Sequence, residues 1–299
     1  MKYRVYQVDA FTKEKFKGNP AGVIANADGL TESQMQILAR ELNNSETAFI
    51  FSPEDSSYDV RIRFFTPTVE VPSCGHATIS AHYVRAIENQ LLSSTVMQKI
   101  GIGTLPVDIV LEENDYRIIM TQGKVEFSEP IENKMRNSLF SALDLEESDI
   151  NEKCPVQLVS TGNSKIIVGI KSRDKLNSLA PHLQNLIEFN KEFQNNGYFV
   201  FTFDSDCPQL LTHARMFAPQ IGIPEDPVTG NGNGPLGAYL VFNNLVNHDG
   251  RLFEFRGQQG EAIGRTGVVK VKVEIEDNLP KKVQIEGQAV IAFYTEIEI

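Results

Sequence analysis

Two stretches of this chain match each other: RFFTPTVEVPSCGHAT, residues 63–78, and RMFAPQIGIPEDPVTGNGNG, residues 215–234. The arginines that open them are 152 positions apart, and so are the prolines at 72 and 224. The apolar segments that begin at Asn43 and Asn195 have the same offset. A constant offset that retains an arginine, a phenylalanine and two prolines predicts an internal duplication.

Each predicted half opens with a strand, a Gly-Asn turn and a second strand. The turns are Gly18-Asn19 and Gly162-Asn163, at an offset of 144, although Gly-Asn is also common hairpin chemistry by itself. A core-facing helix follows in each half, and Thr31-Glu-Ser-Gln34 forms a capping box before the first one. The shared order of elements predicts an α+β fold of two pseudo-symmetric domains.

The domain boundary is predicted near residue 125. The acidic, polar stretch from Glu126 to Cys154 is interpreted as an interdomain linker. The end of the chain alternates apolar with polar residues from Val268 to Val273 and from Val283 to Ile299, which indicates strands that close a sheet. We therefore predict domains at 1–125 and 126–299, with the last C-terminal strand joined to the first domain.

Composition excludes several classes of function. The net charge of -11 and the pI near 5.0 argue against a nucleic-acid partner, because phosphate binding needs clustered basic residues. The start of the chain lacks the apolar core of a signal peptide, and no apolar run approaches the length of a membrane span. We predict a cytoplasmic protein without a membrane partner. Its three cysteines are too scattered for a disulfide framework.

After the matching prolines the two stretches diverge, and Cys74 aligns with Asp226 by the 152 offset. Each segment is a strand–loop–helix junction, which points backbone N–H groups and the positive end of a helix dipole at its surroundings. Such junctions favour carboxylate or enolate oxygens. The glycines at 230, 232 and 234 allow close approach of a ligand, although glycine-rich turns also occur without one. No nucleotide-binding pattern is present in the sequence.

Two further residues are candidates for chemistry. Glu46 precedes an apolar strand, and its counterpart by the same offset is Tyr198. Such a carboxylate is either solvated surface or, in a closed apolar site, a proton-exchanging group; the pattern leaves both open. His76 lies beside Cys74 in the divergent loop. The two could be metal ligands, but no second Cys/His cluster completes a set, so we predict no metal.

At these residues the chain resembles the phenazine-biosynthesis PhzF-like family, whose wider fold is that of diaminopimelate epimerase. It most resembles the uncharacterised bacterial isomerase branch. The resemblance covers essentially the whole chain and is carried by four motifs in order: Val8-Asp9-Ala10-Phe11 with Gly18-Asn19-Pro20, Ser45-Glu46-Thr47-Ala48-Phe49, Cys74-Gly75-His76-Ala77-Thr78, and Glu225-Asp226-Pro227-Val228-Thr229-Gly230.

The resemblance implies two halves, each a barrel-like, mostly antiparallel sheet around a central helix, with the active site in the interdomain cleft. It implies a cofactor-independent isomerase or epimerase of a small carboxylate-bearing metabolite, in which Glu46 is the general acid/base and His76 and Asp226 complete the site. A biosynthetic role and a homodimer accord with it. The residues implied to contact the substrate are Asn19, Cys74, Gly75, Gly230 and Asn231.

Two alternatives remain at the level of sequence. Diaminopimelate epimerase uses one cysteine from each half. Here Asp226 occupies the second cysteine's place, and Cys74 lies at or one residue from the first. A Cys74/Asp226 pair would make the protein an amino-acid racemase or epimerase. Alternatively, the chain is a small-molecule-binding relative that kept the fold and lost the chemistry.

Overall fold

The computed structural model of the protein describes residues 1–299, with Asn133 described by its backbone alone. The chain divides into two compact units. The first comprises Met1–Thr121 and Glu286–Ile299, and the second comprises Gln122–Ile285. None of the helices in the described part of the chain combines the length and apolar character that crossing a bilayer requires.

The elements follow one another along the chain with short connections. The first ten are β1 (Lys2–Ala10), β2 (Asn19–Ile24), α1 (Glu32–Leu42), β3 (Thr47–Phe51), β4 (Val60–Phe65), β5 (Glu70–Val71), α2 (Gly75–Asn89), β6 (Ser94–Ile100), β7 (Gly103–Glu112) and β8 (Asp115–Thr121). They are followed by β9 (Val125–Pro130), α3 (Asn133–Ala142), β10 (Gln157–Thr161), β11 (Ser164–Ile170), α4 (Arg173–Ser178), α5 (Leu183–Glu192), β12 (Tyr198–Thr202), β13 (Thr212–Ala218), β14 (Ile223–Asp226), α6 (Gly230–Phe242), β15 (Leu252–Gln259), β16 (Gly267–Glu276), β17 (Leu279–Gly287) and β18 (Ala289–Glu298).

Strand pairing shows the duplication directly. In the first unit β1 and β2 are antiparallel, β2 and β3 parallel, and β3 and β4 antiparallel; β4 is also parallel to β6, which is antiparallel to β7. In the second unit β10, β11, β12, β13, β15 and β16 repeat these pairings in the same order and sense. The predicted α+β class with two similar halves is confirmed.

Each unit has one helix that is buried on nearly all sides. Ten of the fifteen residues of α2 are buried, and this helix contacts β1, β2, β3, β8 and β18. Eleven of the thirteen residues of α6 are buried, and it contacts β10, β11, β15 and β16. A helix that is buried on nearly all sides lies inside its fold. The sheet of each unit therefore wraps a central helix, as the resemblance implied.

The register of the repeat differs from the predicted 152 offset in one strand. The Gly22 N–H donates to the Glu46 carbonyl, and the Ile166 N–H donates to the Gly197 carbonyl. Since Ile166 is the 144-offset partner of Gly22, the structural counterpart of Glu46 is Gly197. The predicted counterpart, Tyr198, is wrong by one residue. Both strands are runs of apolar residues with phenylalanines at alternating positions, so their letters match in either register.

The interpretation of 126–154 as a linker is also wrong. This stretch contains β9, which pairs with β10, and α3, which lies in the core of the second unit. Leu139, Phe140 and Leu143 are almost fully buried there. The acidic residues lie mainly on the exposed side and conceal an amphipathic pattern. The predicted capping box of α1 is confirmed, because Thr31 Oγ1 accepts from the Gln34 N–H and Gln34 Oε1 accepts from the Thr31 N–H.

Candidate active site

The N-cap residue of helix α2 is Cys74, whose side chain makes no capping hydrogen bond. Cys74 is extended (φ -152°, ψ 127°) and buried, and its carbonyl accepts hydrogen bonds from the N–H and the hydroxyl of Thr78. A small polar side chain at an N-cap normally binds the first free N–H groups of the helix. The thiol of Cys74 is instead turned toward other groups of the first unit.

His76 connects this helix start to the strand beside it. Its imidazole is buried, with Nδ1 at 3.5 Å from Cys74 Sγ and Nε2 at 3.4 Å from Glu46 Oε2. The hydroxyl of Ser45 lies 3.3 Å from the same Nε2. One imidazole thus lies between a thiol and a carboxylic acid, with a hydroxyl that can orient it.

Glu46 is held between the end of α1 and β3. Helix α1 ends at Asn43 in the left-handed conformation (φ 51°), and the chain reaches β3 after two further residues and Glu46. The carboxyl side chain is only 14% exposed, and its Oε2 atom is buried without a hydrogen bond among the described residues. A buried oxygen in this state costs folding free energy and keeps its lone pairs for another partner.

The structure thus brings together three of the predicted residues of the first unit: Glu46, Cys74 and His76. Gly75, the first residue of α2, lies between two of them in the chain. Asn19 is fully buried at the start of β2, the strand that pairs in parallel with β3. The ligand-type atoms of Glu46, Cys74 and His76 all lie within 4.8 Å of one another. The prediction of no metal rested on cysteine and histidine alone, and the third potential donor in this cluster is the carboxylate of Glu46.

In the second unit Asp226 belongs to a hydrogen-bonded network at the start of α6. The Thr229 hydroxyl donates to Asp226 Oδ2, and Thr229 is the N-cap of α6. Gln259 Nε2 donates to the Asp226 carbonyl (2.8 Å), while Gln259 Oε1 accepts from the Thr229 N–H (3.0 Å) and from Asn233 Nδ2 (3.2 Å). Asp226 is buried, so this network fixes the direction of its carboxylate.

This network corrects the pairing of Cys74 with Asp226. The hydrogen bonds that Thr78 makes to the Cys74 carbonyl are made by Asn233 to the Thr229 carbonyl. By helix position, Thr229 is therefore the counterpart of Cys74, and Asp226 lies three residues earlier. The offset of the strands does not extend through the loop, which has three more residues in the second unit.

Gly230 and Asn231 open α6 and contact Gln122. Gln122 Nε2 donates to the Gly230 carbonyl and to Asn231 Oδ1, both at 3.1 Å. Packing explains two of the neighbouring glycines. A Cβ at Gly232 would lie 2.4 Å from the Phe199 ring, and one at Gly234 would lie 1.8 Å from Gln122 Oε1. Close packing against Phe199 thus accounts for Gly232 without any ligand, and the present position of the Gln122 amide accounts for Gly234.

Sequence reasoning missed Lys165, which is 2% exposed in β11. Its ammonium donates to Asn163 Oδ1 and to the Ser164 carbonyl (3.3 Å). Burial lowers the pKa of Lys165 to about 7, and the nearby charge of Asp226 opposes that shift. The available signal was a lysine inside an apolar strand, at the position that the 144 offset pairs with Ala21.

The family model described as phenazine biosynthesis-like protein matches residues 8–295. The chain is 56% identical to an uncharacterized isomerase of Clostridium acetobutylicum, over 99% of this chain and 98% of the relative. It is 28% identical to the trans-2,3-dihydro-3-hydroxyanthranilate isomerase of Pseudomonas aeruginosa, over 95% of each chain. The crystal structure of the Bacillus anthracis phenazine biosynthesis protein of the PhzF family matches with a TM-score of 0.89 and 31% identity, over all of both chains. The chain belongs to the phenazine biosynthesis-like family and is an isomerase.

Proposed function

We propose that this isomerase moves a proton at carbon in a small carboxylate-bearing metabolite, with Glu46 as the general acid/base. The observation that carries the proposal is the buried Glu46 Oε2, which has no hydrogen bond among the described residues and lies 3.4 Å from His76 Nε2. A general base needs a lone pair that no other group occupies and a positioned neighbour. The unpaired Oε2 of Glu46 and the nearby His76 ring support that role.

In the proposed reaction Glu46 removes a proton from a carbon next to an activating group. The electron pair left on carbon moves into that group, and the protonated Glu46 returns the proton to another position or to the other face. The His76 ring lies against the Glu46 carboxyl group and positions it. The hydroxyl of Ser45 in turn orients the His76 ring. The chemistry is balanced by these protein groups and the substrate alone, so the proposal includes no cofactor.

The start of α2 is the proposed binding place for the substrate's carboxylate. The first N–H groups of a helix and its dipole stabilise negative charge, and a glycine at the first helical position lets an anion approach the backbone. Here that glycine is Gly75, directly before His76. The name of the Pseudomonas aeruginosa relative describes an anthranilate, which is a carboxylate-bearing compound. This supports the proposed class of substrate.

The remaining residues stay predictions. Asp226 is proposed to assist the reaction, and its hydrogen bond from Thr229 suits a group that is held in one direction. Asn19, Gly230 and Asn231 are proposed to contact the substrate. A cytoplasmic location, a homodimer and a biosynthetic role also stay predictions.

The test is exchange of substrate hydrogen for solvent deuterium. A panel of amino and hydroxy acids is incubated in D₂O, and loss of the proton signal is followed by NMR. We expect Glu46→Gln to slow exchange by about 10²- to 10⁴-fold, the usual contribution of a general acid/base. Glu41→Gln, an exposed carboxylate in α1, is the matched control and should keep the wild-type rate. Equal rates in Glu46→Gln and the wild type would remove Glu46 from the mechanism.

A second candidate places the base at Cys74, because its Sγ lies 3.5 Å from His76 Nδ1. In this racemase or epimerase mechanism a thiolate takes the proton, with Asp226 as its partner group. Iodoacetamide should then abolish exchange, and Cys74→Ser should be inactive. A Glu46 mechanism survives Cys74→Ser. Ligand binding without exchange across the whole panel would instead favour a non-catalytic relative.

A further inference from the structure

We infer that Glu46, Cys74 and His76 form a binding site for one divalent transition-metal cation, with Zn²⁺ as the best fit, and that the bound ion blocks proton transfer. The binding rests only on the geometry of the first unit. The blocking rests on the proposed function, because it requires Glu46 to be the acid/base.

The types of donor atom point to this class of metal. A thiolate, an imidazole nitrogen and a carboxylate oxygen are the three ligands that zinc takes in proteins, and catalytic zinc sites combine three protein ligands with one open position. Mg²⁺ and Ca²⁺ prefer oxygen ligands alone. The site should therefore select zinc-like ions over the abundant hard cations.

The spacing of the donor atoms is close to what the ion requires. Tetrahedral ligands at about 2.0–2.3 Å from zinc lie roughly 3.3–3.6 Å from one another. His76 Nε2 and Glu46 Oε2 are already 3.4 Å apart, and all three ligand-type atoms lie within 4.8 Å. Cys74 Sγ lies 3.5 Å from Nδ1, the other ring nitrogen, so the set is completed when the side chains of Cys74 and His76 rotate until one ring nitrogen and the thiolate face the same ion.

The surroundings add two favourable terms and one opposing term. Glu46 Oε2 has no hydrogen bond among the described residues, so binding an ion there breaks none. The Cys74 side chain does not cap its helix, so metal binding to the thiolate removes no capping hydrogen bond. The positive end of the α2 dipole repels a cation, but the same dipole favours the thiolate form of a cysteine. Two anionic ligands offset a partial positive charge of about one half.

The proposed consequence is reversible inhibition. An ion bound to Glu46 occupies the lone pair that would accept the substrate proton, and it fixes the His76 ring. A chelator should restore activity. The fourth coordination position stays open to water or to an anionic ligand.

The binding test uses Co²⁺ as a spectroscopic substitute for Zn²⁺ and needs no substrate. We expect one equivalent of Co²⁺ to give a thiolate-to-metal band in the near ultraviolet. The band should persist in Cys207→Ser and Cys154→Ser, which remove the other two thiols. It should disappear in Cys74→Ser and Cys74→Ala, with folding of each variant verified by circular dichroism. Absence of the band in the wild type, or its survival in both Cys74 variants, would overturn the site.

The ligand set is tested by affinity. Glu46→Gln and His76→Asn should each weaken Co²⁺ binding by at least about tenfold, whereas Glu41→Gln should not change it. Unchanged affinity in Glu46→Gln or His76→Asn would overturn the three-ligand site. In the exchange assay, stoichiometric Zn²⁺ should stop turnover and EDTA should restore it. Full turnover with Zn²⁺ bound would refute the blocking, and loss of the Co²⁺ band would refute the site while leaving the role of Glu46 untouched.

Discussion

Helices α2 and α6 both begin at an N-cap residue whose side chain makes no capping hydrogen bond, Cys74 in the first unit and Thr229 in the second. Thr31 at the start of α1 does cap its helix. At α2 the released side chain faces His76, next to Glu46 Oε2, which has no hydrogen bond within the part of the chain that the structure describes. At α6 the released hydroxyl is bound to Asp226. Both helices thus lack the capping hydrogen bond. At α2 this leaves a side chain available for chemistry, whereas at α6 it allows a hydrogen bond that makes the junction rigid.

The difference extends to the strands beside the helices. The counterpart of Glu46 is Gly197, and the counterpart of Ala21 is Lys165, whose Cδ would lie 3.1 Å from a Cβ added at Gly197. In the second unit a lysine stem thus occupies the space beside the backbone position at which the first unit carries a carboxylate. The two halves thus differ here in the type of titratable side chain, which is acidic in the first unit and basic in the second.

The largest expected effect concerns Lys165. Its pKa is about 7 in the folded protein and about 10.4 when unfolded, so between these values the unfolded state binds more protons and stability rises with pH. The slope is up to about 1.4 kcal/mol per pH unit, on the order of 3 kcal/mol between pH 7 and 9.5. Lys165→Met should lack this rise in urea unfolding, whereas the exposed control Lys153→Met should keep it. Parallel curves for Lys165→Met and the wild type would contradict the prediction.

Gly197→Ala should lower the free energy of unfolding by about 2–3 kcal/mol, because φ is +149° and the new Cβ would lie 2.8 Å from Met216 Cε. Gly222→Ala, with φ +82° and nothing within 4 Å, should cost only about 1 kcal/mol. At the equivalent position of the first unit, Glu46→Ala should change stability by less than about 1 kcal/mol. Chemical denaturation measures all three. Equal losses of stability at positions 46 and 197 would contradict the predicted difference between the two units.

Thr229→Val should destabilise the protein by about 1.5–2 kcal/mol, since Asp226 loses a hydrogen bond to a charged group and Gln259 Nε2 loses an acceptor. Thr229→Ser keeps the hydroxyl and should lie within about 0.5 kcal/mol of the wild type. Thermal unfolding of the pair measures the difference. If both variants unfold together, the hydroxyl does not support the network.

The smallest effect has the opposite sign. Cys74→Ser should raise stability by about 0.5–1 kcal/mol, because serine is a preferred N-cap and α2 lacks one. Thr31→Ala at α1 provides the converse and should lose about 1 kcal/mol. Urea unfolding of both variants checks the signs. A Cys74→Ser variant that is no more stable than the wild type would show that the missing capping hydrogen bond at position 74 does not lower the stability of the protein.

The sequence predicted the order of elements because repeated prolines, turns and apolar spacing survive duplication. The prediction failed where the local sequence does not determine the strand register. The apolar strands that follow Glu46 and Gly197 match in two registers, and only the hydrogen bonds to Gly22 and Ile166 distinguish them. The stretch 126–154 was misread because its acidic residues obscure the few apolar positions of α3 that are buried.

For the candidate site, the motifs around Glu46, Cys74 and His76 identified residues that the fold places together. Two features required coordinates. Glycines 232 and 234 suggested ligand contact, but their packing against Phe199 and Gln122 appears only in the folded chain. Lys165 belongs to no motif: the apolar strand around it was a signal in the sequence, but its burial and its partners are seen only in the folded chain.

The two ends of the chain are adjacent: Met1 N donates to the Ile299 carbonyl, and β1 pairs along its length with β18. During translation the first unit therefore cannot complete its sheet until β18 has been synthesised, whereas the inserted segment 122–285 precedes β18 in the chain and is made earlier. Linking residues 1 and 299 and opening the chain elsewhere would reverse this order of assembly. In such a circular permutant the first unit could complete its fold before the second.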